Sequence, residues 1–89
     1  MQFMIIEHFR PDKIREMYER FDRHGRMLPE GVAFVNSYIN EDVTICYQVM
    51  EATNIAQLQT WIDKWKDVTD FEVIAVISSA KAKAKVFSR

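Results

Sequence analysis

The segment Gln2–Phe9 is apolar on both of its alternating faces as far as Ile6, and it constrains the fold more than any other part of the sequence. A strand with two apolar faces is covered on both sides. Glu7 and His8 end the run well short of the ~20 residues needed to cross a bilayer. The run also lacks the basic start and the small-residue cleavage site of a signal peptide. We therefore predict a β-strand that is covered on both faces, and a cytoplasmic protein.

A helix and a strand hairpin follow this strand. Pro11 and Asp12 favour a helix start, an apolar stripe then recurs at helical spacing, and Gly25 is a natural stop. Strands are predicted over Val32–Ile39 and Val43–Glu51, and the short polar turn between them makes an antiparallel hairpin.

The second half of the chain predicts one more helix and one more strand. Asn54 and Gln57 have the spacing of a capping box, and an apolar stripe that includes Trp65 follows them. Phe71–Ser79 is predicted as the fourth strand. The tail, residues 80–87, alternates small and basic residues, and we leave open whether it is an extended edge or a short helix.

The order β-α-β-β-α-β predicts an α+β, ferredoxin-like sandwich in a single domain, residues 1–89. Its four-stranded antiparallel sheet has both helices on one face. The helix-free face would then leave Phe3, Ile5 and Phe9, or their alternates, in contact with water. An apolar patch of that size is normally covered, and the simplest cover is a second copy related by two-fold symmetry. We therefore expect a homodimer through the helix-free sheet face, which forms a dimeric α/β barrel.

Charge and motifs exclude several classes of partner. Twelve Lys and Arg against thirteen Asp and Glu give a formal charge of −1, so neither nucleic acid nor a membrane is an expected partner. The single cysteine, Cys46, suits a reducing compartment. No metal, phosphate-binding or nucleophile motif is present, so we predict no cofactor. His8 is expected to point toward the helices or to lie at a strand end, and His24 to lie in the last turn of the first helix, so both are expected to be structural rather than metal or haem ligands.

Several segments together resemble a family of short bacterial proteins classed as a domain of unknown function. The resemblance spans the whole chain and rests on five stretches: residues 3–9, 25–31, 46–51, 58–65 and 71–73. That family is similar in layout to the dimeric α+β barrel superfamily, which includes antibiotic-biosynthesis monooxygenases and haem-degrading enzymes. The resemblance implies a fold, a dimer and a cavity.

Glu7 is the most informative candidate for a binding or catalytic role. It lies late in an apolar strand, in phase with Phe3 and Ile5, which would line the same barrel cavity. Burial would raise its pKa, as suits a general base or a ligand-binding carboxylate. The alternative is a solvated carboxylate at the barrel mouth, paired with Arg10 or Arg26.

Other candidate ligand-binding residues come from the second and third strands and the loops. Gln48 and Cys46 share one face of the third strand, where each is also explained as an ordinary buried or interface group. Tyr38 is a candidate cavity residue, although a one-residue slip in register would exchange it for a neighbour. Arg26 is expected to gate the cavity mouth and hold an anionic ligand, or else to fasten its loop.

Three functions remain open at this point. The first is a homodimer that binds an apolar or aromatic small molecule in the barrel and oxidises it without a cofactor, or only binds it. The second is a non-catalytic scaffold or interaction dimer with a packed barrel. The third is a haem-binding or haem-degrading protein, which the histidine positions disfavour. Wherever a pocket is predicted, it depends on the second copy.

Overall fold

The computed structural model describes residues 1–88 and shows a four-stranded antiparallel sheet in the order β2-β3-β1-β4. The strands are β1 (Gln2–Phe9), β2 (Val32–Ile39), β3 (Ile45–Ala52) and β4 (Thr69–Val76). The helices are α1 (Ile14–His24), α2 (Ile55–Ile62) and α3 (Ser79–Phe87). The ferredoxin-like α+β prediction is confirmed, and α3 is added to it.

The core lies between the sheet and the first two helices. Phe3 and Ile5 on β1 belong to one buried hydrophobic cluster with Met17 of α1 and with Leu58 and Trp61 of α2. Phe3 and Ile5 therefore lie on the helix-covered face of the sheet, and their alternates Met4, Ile6 and His8 lie on the helix-free face. The sequence left open which face of β1 is free of helices. The structure shows that it is the face with Met4 and Ile6.

Two of the predicted strands, β3 and β4, have bounds that differ from the prediction for reasons of local backbone geometry. β3 begins at Ile45 rather than Val43, because Val43 has a left-handed backbone with φ +57° in the turn after β2. β4 begins at Thr69 rather than Phe71, and the Thr69 hydroxyl donates a hydrogen bond of 2.9 Å to the His8 carbonyl. The same strand ends at Val76 because Ser78 caps α3, accepting from the Lys81 amide at 3.1 Å.

β2 contains a bulge that decides which of its side chains face the helices. Phe34 pairs with Met50 and Asn36 pairs with Val49, so Val35 is an extra residue in the strand. The Asn36 side chain accepts a hydrogen bond of 2.8 Å from the Ser37 amide beside the bulge. A bulge reverses the alternation after it. Ser37 therefore faces the helices and Tyr38 the opposite side.

The alternating tail is a helix, α3, and not an extended edge. Residues 79–87 form a helix, none of whose side chains is buried, and Val86 and Phe87 are exposed. An isolated helix this short is marginally stable in water, and most helices in proteins are held by packing. The helix therefore offers an apolar surface that the rest of residues 1–88 does not cover.

The predicted capping box is half formed. The Asn54 side chain accepts a hydrogen bond of 3.0 Å from the Gln57 amide, as expected for an N-cap. The Gln57 side chain lies instead against Gly31, where any added side chain would collide with it. Its Oε1 is buried without a hydrogen-bond partner in the described residues.

We therefore expect Gln57→Met to raise the free energy of unfolding by about 1 kcal/mol, because a buried oxygen without a partner is replaced by an apolar group of similar length. Urea unfolding would measure the change. Gln59→Met is the matched control, since Gln59 is exposed and donates to Asp63 at 2.9 Å. A loss of stability in Gln57→Met would show that its amide makes a favourable contact.

Candidate functional site

A cavity of about 170 Å³ lies between the helix-covered face of the sheet and the first two helices. Its polar lining consists of Glu7, Arg26, Ser37, Cys46 and Gln48. Its aromatic lining consists of Phe9, Tyr18, Phe21, Trp61 and Trp65. The cavity is thus a largely apolar space with a few convergent polar groups, inside one chain, which is the usual character of a small-molecule site.

Glu7 is a buried carboxyl group on the central strand. Burial raises its pKa from 4.5 to about 7, and the Arg26 charge and a hydrogen bond from Cys46 oppose part of that rise. An isolated carboxylate in an apolar setting is poorly solvated, so the neutral form is favoured there. A carboxyl group of this kind exchanges its proton near neutral pH, as a general base or acid must.

Cys46 lies beside Glu7 on β3 and is buried. Desolvation, and after it the nearby Glu7 charge, raises the pKa of the thiol to about 12. The group therefore stays protonated and acts as a weak hydrogen-bond donor, not as a nucleophile. This agrees with the ordinary reading of Cys46 as a small buried side chain that also lines the cavity.

Gln48 and Ser37 have little hydrogen bonding from the protein. Within residues 1–88 the Gln48 amide hydrogen-bonds only to sulfur atoms: its Nε2 lies 3.0 Å from Met50 Sδ, and its Oε1 lies 3.9 Å from Cys46 Sγ. Sulfur is a weak acceptor and a weak donor. Over the same residues the Ser37 hydroxyl makes no hydrogen bond. Both groups keep capacity for a ligand.

The loop that carries Arg26 is held by two tryptophans. The indole N–H groups of Trp61 and Trp65 both donate to the Arg26 carbonyl, each at 3.0 Å. Lys64 donates to the next carbonyl, that of Met27, also at 3.0 Å. The two tryptophans therefore line the cavity and fix the backbone at its mouth, so Arg26 is fastened through its main chain rather than by a salt bridge of its side chain.

A second connection joins α1 to the turn that follows α2. Arg20 donates to both carboxylate oxygens of Asp67, at 2.8 and 2.7 Å, and to the Lys64 carbonyl at 2.9 Å. Its guanidinium also lies 5.5 Å from the Trp65 ring centre. A bidentate pair of this kind fixes geometry as well as charge. The helical side of the cavity is thereby held at two points.

A family described as Domain of unknown function (DUF3303) matches residues 1–88. The chain belongs to the DUF3303 family. The resemblance to a family of unknown function that the sequence indicated is thus confirmed. No curated protein matches the chain significantly.

Four of the predicted site residues meet at the cavity of this DUF3303 chain: Glu7, Arg26, Cys46 and Gln48. Phe3 and Ile5 do not line it, since both are packed in the core beside it. Tyr38 lies on the opposite face, 72% exposed, because the β2 bulge turns Ser37 inward in its place. In this DUF3303 chain, Ser37 forms the part of the cavity wall that was predicted for Tyr38.

The aromatic lining was visible in the sequence only as core. Tyr18 and Phe21 belong to the apolar stripe of α1, and Trp61 and Trp65 are spaced four apart near α2. That spacing was consistent with a flat ligand, but it is also that of ordinary core. The signal that distinguishes the tryptophans is their shared hydrogen bond to one carbonyl, which a sequence does not display.

Neither histidine of the DUF3303 chain lies at the cavity. His8 is exposed on the helix-free face, with Nε2 3.6 Å from Glu72 Oε1. The expectation that it points toward the helices is wrong, and the alternative of a strand end is correct. His24 is exposed in the last turn of α1, as predicted.

Within residues 1–88, no helix has the length and apolar character required to cross a membrane.

The raised pKa of Glu7 predicts a specific pH dependence of stability. The folded state keeps the proton between pH 4.5 and about 7, whereas the unfolded state releases it, so stability falls as the pH rises through this window. The free energy of unfolding of Glu7→Gln, measured relative to that of the wild type, should therefore rise by about 3 kcal/mol between pH 4.5 and 7. Above pH 7 this difference should stay constant.

Urea unfolding across this pH range measures the difference between the two proteins. Glu30→Gln, which replaces an exposed acid in a loop, should follow the wild-type profile. A constant difference between Glu7→Gln and wild type over the same range would show that Glu7 is solvated rather than buried.

Proposed function

We propose that this protein binds a small apolar or aromatic molecule in the cavity between its sheet and its first two helices. Glu7 would anchor the ligand or accept a proton from it. The observation that carries the proposal is the set of polar side chains that line an apolar space and have little hydrogen bonding from the protein. Structural polar groups are normally paired when they are buried. Groups left free around a cavity are available to a ligand.

The size of the cavity supports a compact ligand. Its volume is about 170 Å³, and an apolar cavity of roughly 150 Å³ accepts benzene. A single ring with a small polar substituent therefore fits, whereas a haem does not fit without rearrangement of the helices. This favours the ligand-binding hypothesis over the haem hypothesis.

Glu7 also supports a catalytic version of the proposal. A base with a pKa near the working pH is suited to removing a proton from an activated substrate. Cofactor-independent oxygenation, one of the functions that the sequence leaves open, begins with that step on an electron-rich compound. The proton would pass to the Glu7 carboxylate, and the carbanion would then react with dioxygen.

Binding is tested by screening uncharged and charged one-ring compounds against ¹⁵N-labelled protein. The Trp61 and Trp65 indole resonances should shift selectively, because both rings line the cavity. Gln48→Leu should weaken the binding of polar members by about tenfold through loss of a hydrogen bond. Gln2→Leu, at an exposed position of β1, is the control. Indole resonances that no compound moves would contradict the proposal.

We propose in addition that the helix-free face binds a second copy of the chain. Apolar side chains occupy neighbouring positions there: Met4, Ile6, Tyr47, Val49 and Ile74. Acidic side chains border them, including the half-buried Glu51 and the exposed Glu72. Isolated apolar residues are normal on a surface, but a continuous patch with a polar rim is typical of an interface.

Charge favours a copy of this chain as the partner. Residues 1–78 carry eight Lys and Arg against thirteen Asp and Glu, a formal charge of −5. The exposed helix α3 carries three lysines and no acid, beside the apolar Val86 and Phe87. Each copy therefore offers an acidic, partly apolar sheet and a basic, partly apolar helix, which are complementary between two-fold related chains.

Ile74→Lys should convert the dimer to a monomer, because it places a charge in the apolar patch. Ile74 is 48% exposed, so the change leaves the folded monomer intact. Ile55→Lys is the matched control on α2, where Ile55 is 56% exposed and distant from the sheet face. Light scattering after size exclusion measures both. A wild-type protein that is monomeric at micromolar concentration would contradict the dimer and leave the cavity proposal unaffected.

A further inference from the structure

We infer that the ligand is a singly charged organic anion with one aromatic ring, whose anionic group binds the Arg26 guanidinium and whose ring lies among the aromatic side chains of the cavity. This inference rests on the proposed ligand-binding function and narrows it to a chemical class. Three observations carry it: the state of the Arg26 side chain, the walls of the cavity and its charge.

The Arg26 guanidinium has no polar partner within residues 1–88. It makes neither a side-chain hydrogen bond nor an ion pair there, whereas the neighbouring Arg20 and Arg23 are both paired with acids. A guanidinium carries a planar fork of N–H donors suited to a carboxylate. At the edge of an apolar cavity, donors left unused by the protein are the natural contact for an anion.

Aromatic stacking holds this side chain in a position that keeps its donors free. The guanidinium carbon lies 3.6 Å from the Phe34 ring centre and 5.1 Å from that of Phe21. Stacking uses the faces of the guanidinium plane, while its N–H groups point outward in that plane. The Arg26 main chain is fixed by Trp61 and Trp65. The cation is therefore pre-oriented before any ligand binds, which reduces the entropy lost on binding.

The walls select an aromatic ring over an aliphatic one of similar size. Tyr18 and Phe9 meet edge to face, with ring centres 6.3 Å apart, and Trp61 meets Phe71 in the same way at 5.5 Å. Edge-to-face and offset arrangements are favourable for further aromatic rings. The volume limits the ligand to one ring, as argued above.

The balance of charge selects a single negative charge. Among the groups that line the cavity, Arg26 is the cation and Glu7 the acid. The other titratable groups that face Glu7 are Tyr18 on α1 and Cys46 on β3, and desolvation raises the pKa of each, so both stay neutral. When Glu7 carries its proton, the lining has one positive charge, which one anion neutralises. When Glu7 loses it, the carboxylate repels that anion.

The experiment compares benzoate, benzamide and cyclohexanecarboxylate as probes on the full chain, by calorimetry and by the indole resonances of Trp61 and Trp65. At pH 6 benzoate should bind about tenfold more tightly than benzamide, through a charge-assisted contact, and more tightly than cyclohexanecarboxylate. Arg26→Gln should remove the preference for benzoate over benzamide. Arg23→Gln, which changes an exposed arginine near the end of α1, should retain it.

Two further measurements protect the test against a variant that fails to fold and against a purely structural role. Arg26→Lys keeps the charge but loses the fork, so it should bind benzoate several-fold more weakly than wild type. Benzoate affinity in the wild type should fall about tenfold between pH 6 and pH 8 as Glu7 ionises, and Glu7→Gln should make it independent of pH.

The outcomes distinguish a failure of the anion class from a failure of the proposed ligand-binding function. If benzamide or another uncharged ring shifts the indole resonances as strongly as benzoate does, the anion class is wrong and the ligand-binding function stands. A wild-type affinity for benzoate that does not change with pH also contradicts the anion class. If neither charged nor uncharged rings move the indole resonances, both are wrong.

Discussion

The candidate site depends on a carboxyl group on the buried face of the central strand. Glu7 lies on the same face of β1 as Phe3, Ile5 and Phe9, all of which are core residues. Burial of a carboxyl group is unfavourable unless the group is neutral or paired. Here no bidentate partner meets it. Its surroundings are a neutral thiol, an amide with sulfur contacts and an arginine whose charge acts without direct contact. The protein thus keeps a polar group in an apolar space.

The helical side of the cavity is rigid for reasons that are separate from Glu7. Two indole N–H groups share one carbonyl, and Arg20 joins α1 to the turn after α2 through Asp67. These contacts fix the backbone of Arg26, whose guanidinium lies against the Phe21 and Phe34 rings, and keep the mouth of the cavity in one position. The pairing also holds the pKa of Asp67 near 2, mainly through the hydrogen bond from Arg20, so this connection persists over the whole physiological pH range.

Much of the fold was predictable from periodicity, whereas the wall of the site was not. The bounds of β1 and β2, the Asn54 cap and the end of α1 at Gly25 follow from local patterns, and all are observed. Glu7 and Arg26 were identified because a charge in or beside an apolar segment is conspicuous. The location of the cavity was expected between two chains, but the cavity lies within one chain. The alternation of β1 does not say which face meets the helices.

Tyr38 and the tail illustrate the same limit. A residue's face in β2 depends on a bulge whose position is set by pairing with β3, a contact between distant residues. The alternating tail has the composition of a helix and the pattern of a strand, and its helix begins where Ser78 accepts the Lys81 amide. Both outcomes depend on geometry that side-chain type alone does not encode.

The extra residue in β2 has an evolutionary consequence. Deleting Val35 would make the pairing regular and leave Ser37 opposite Gln48 and Tyr38 opposite Tyr47, as they are now. Regular pairing with Val35 retained would instead exchange the inner and outer side chains over the rest of the strand, and would replace a hydroxyl by a phenol in the interior. A relative that lacks this one residue would therefore keep the same inner wall, whereas a relative that keeps the residue but loses the bulge would have a different one.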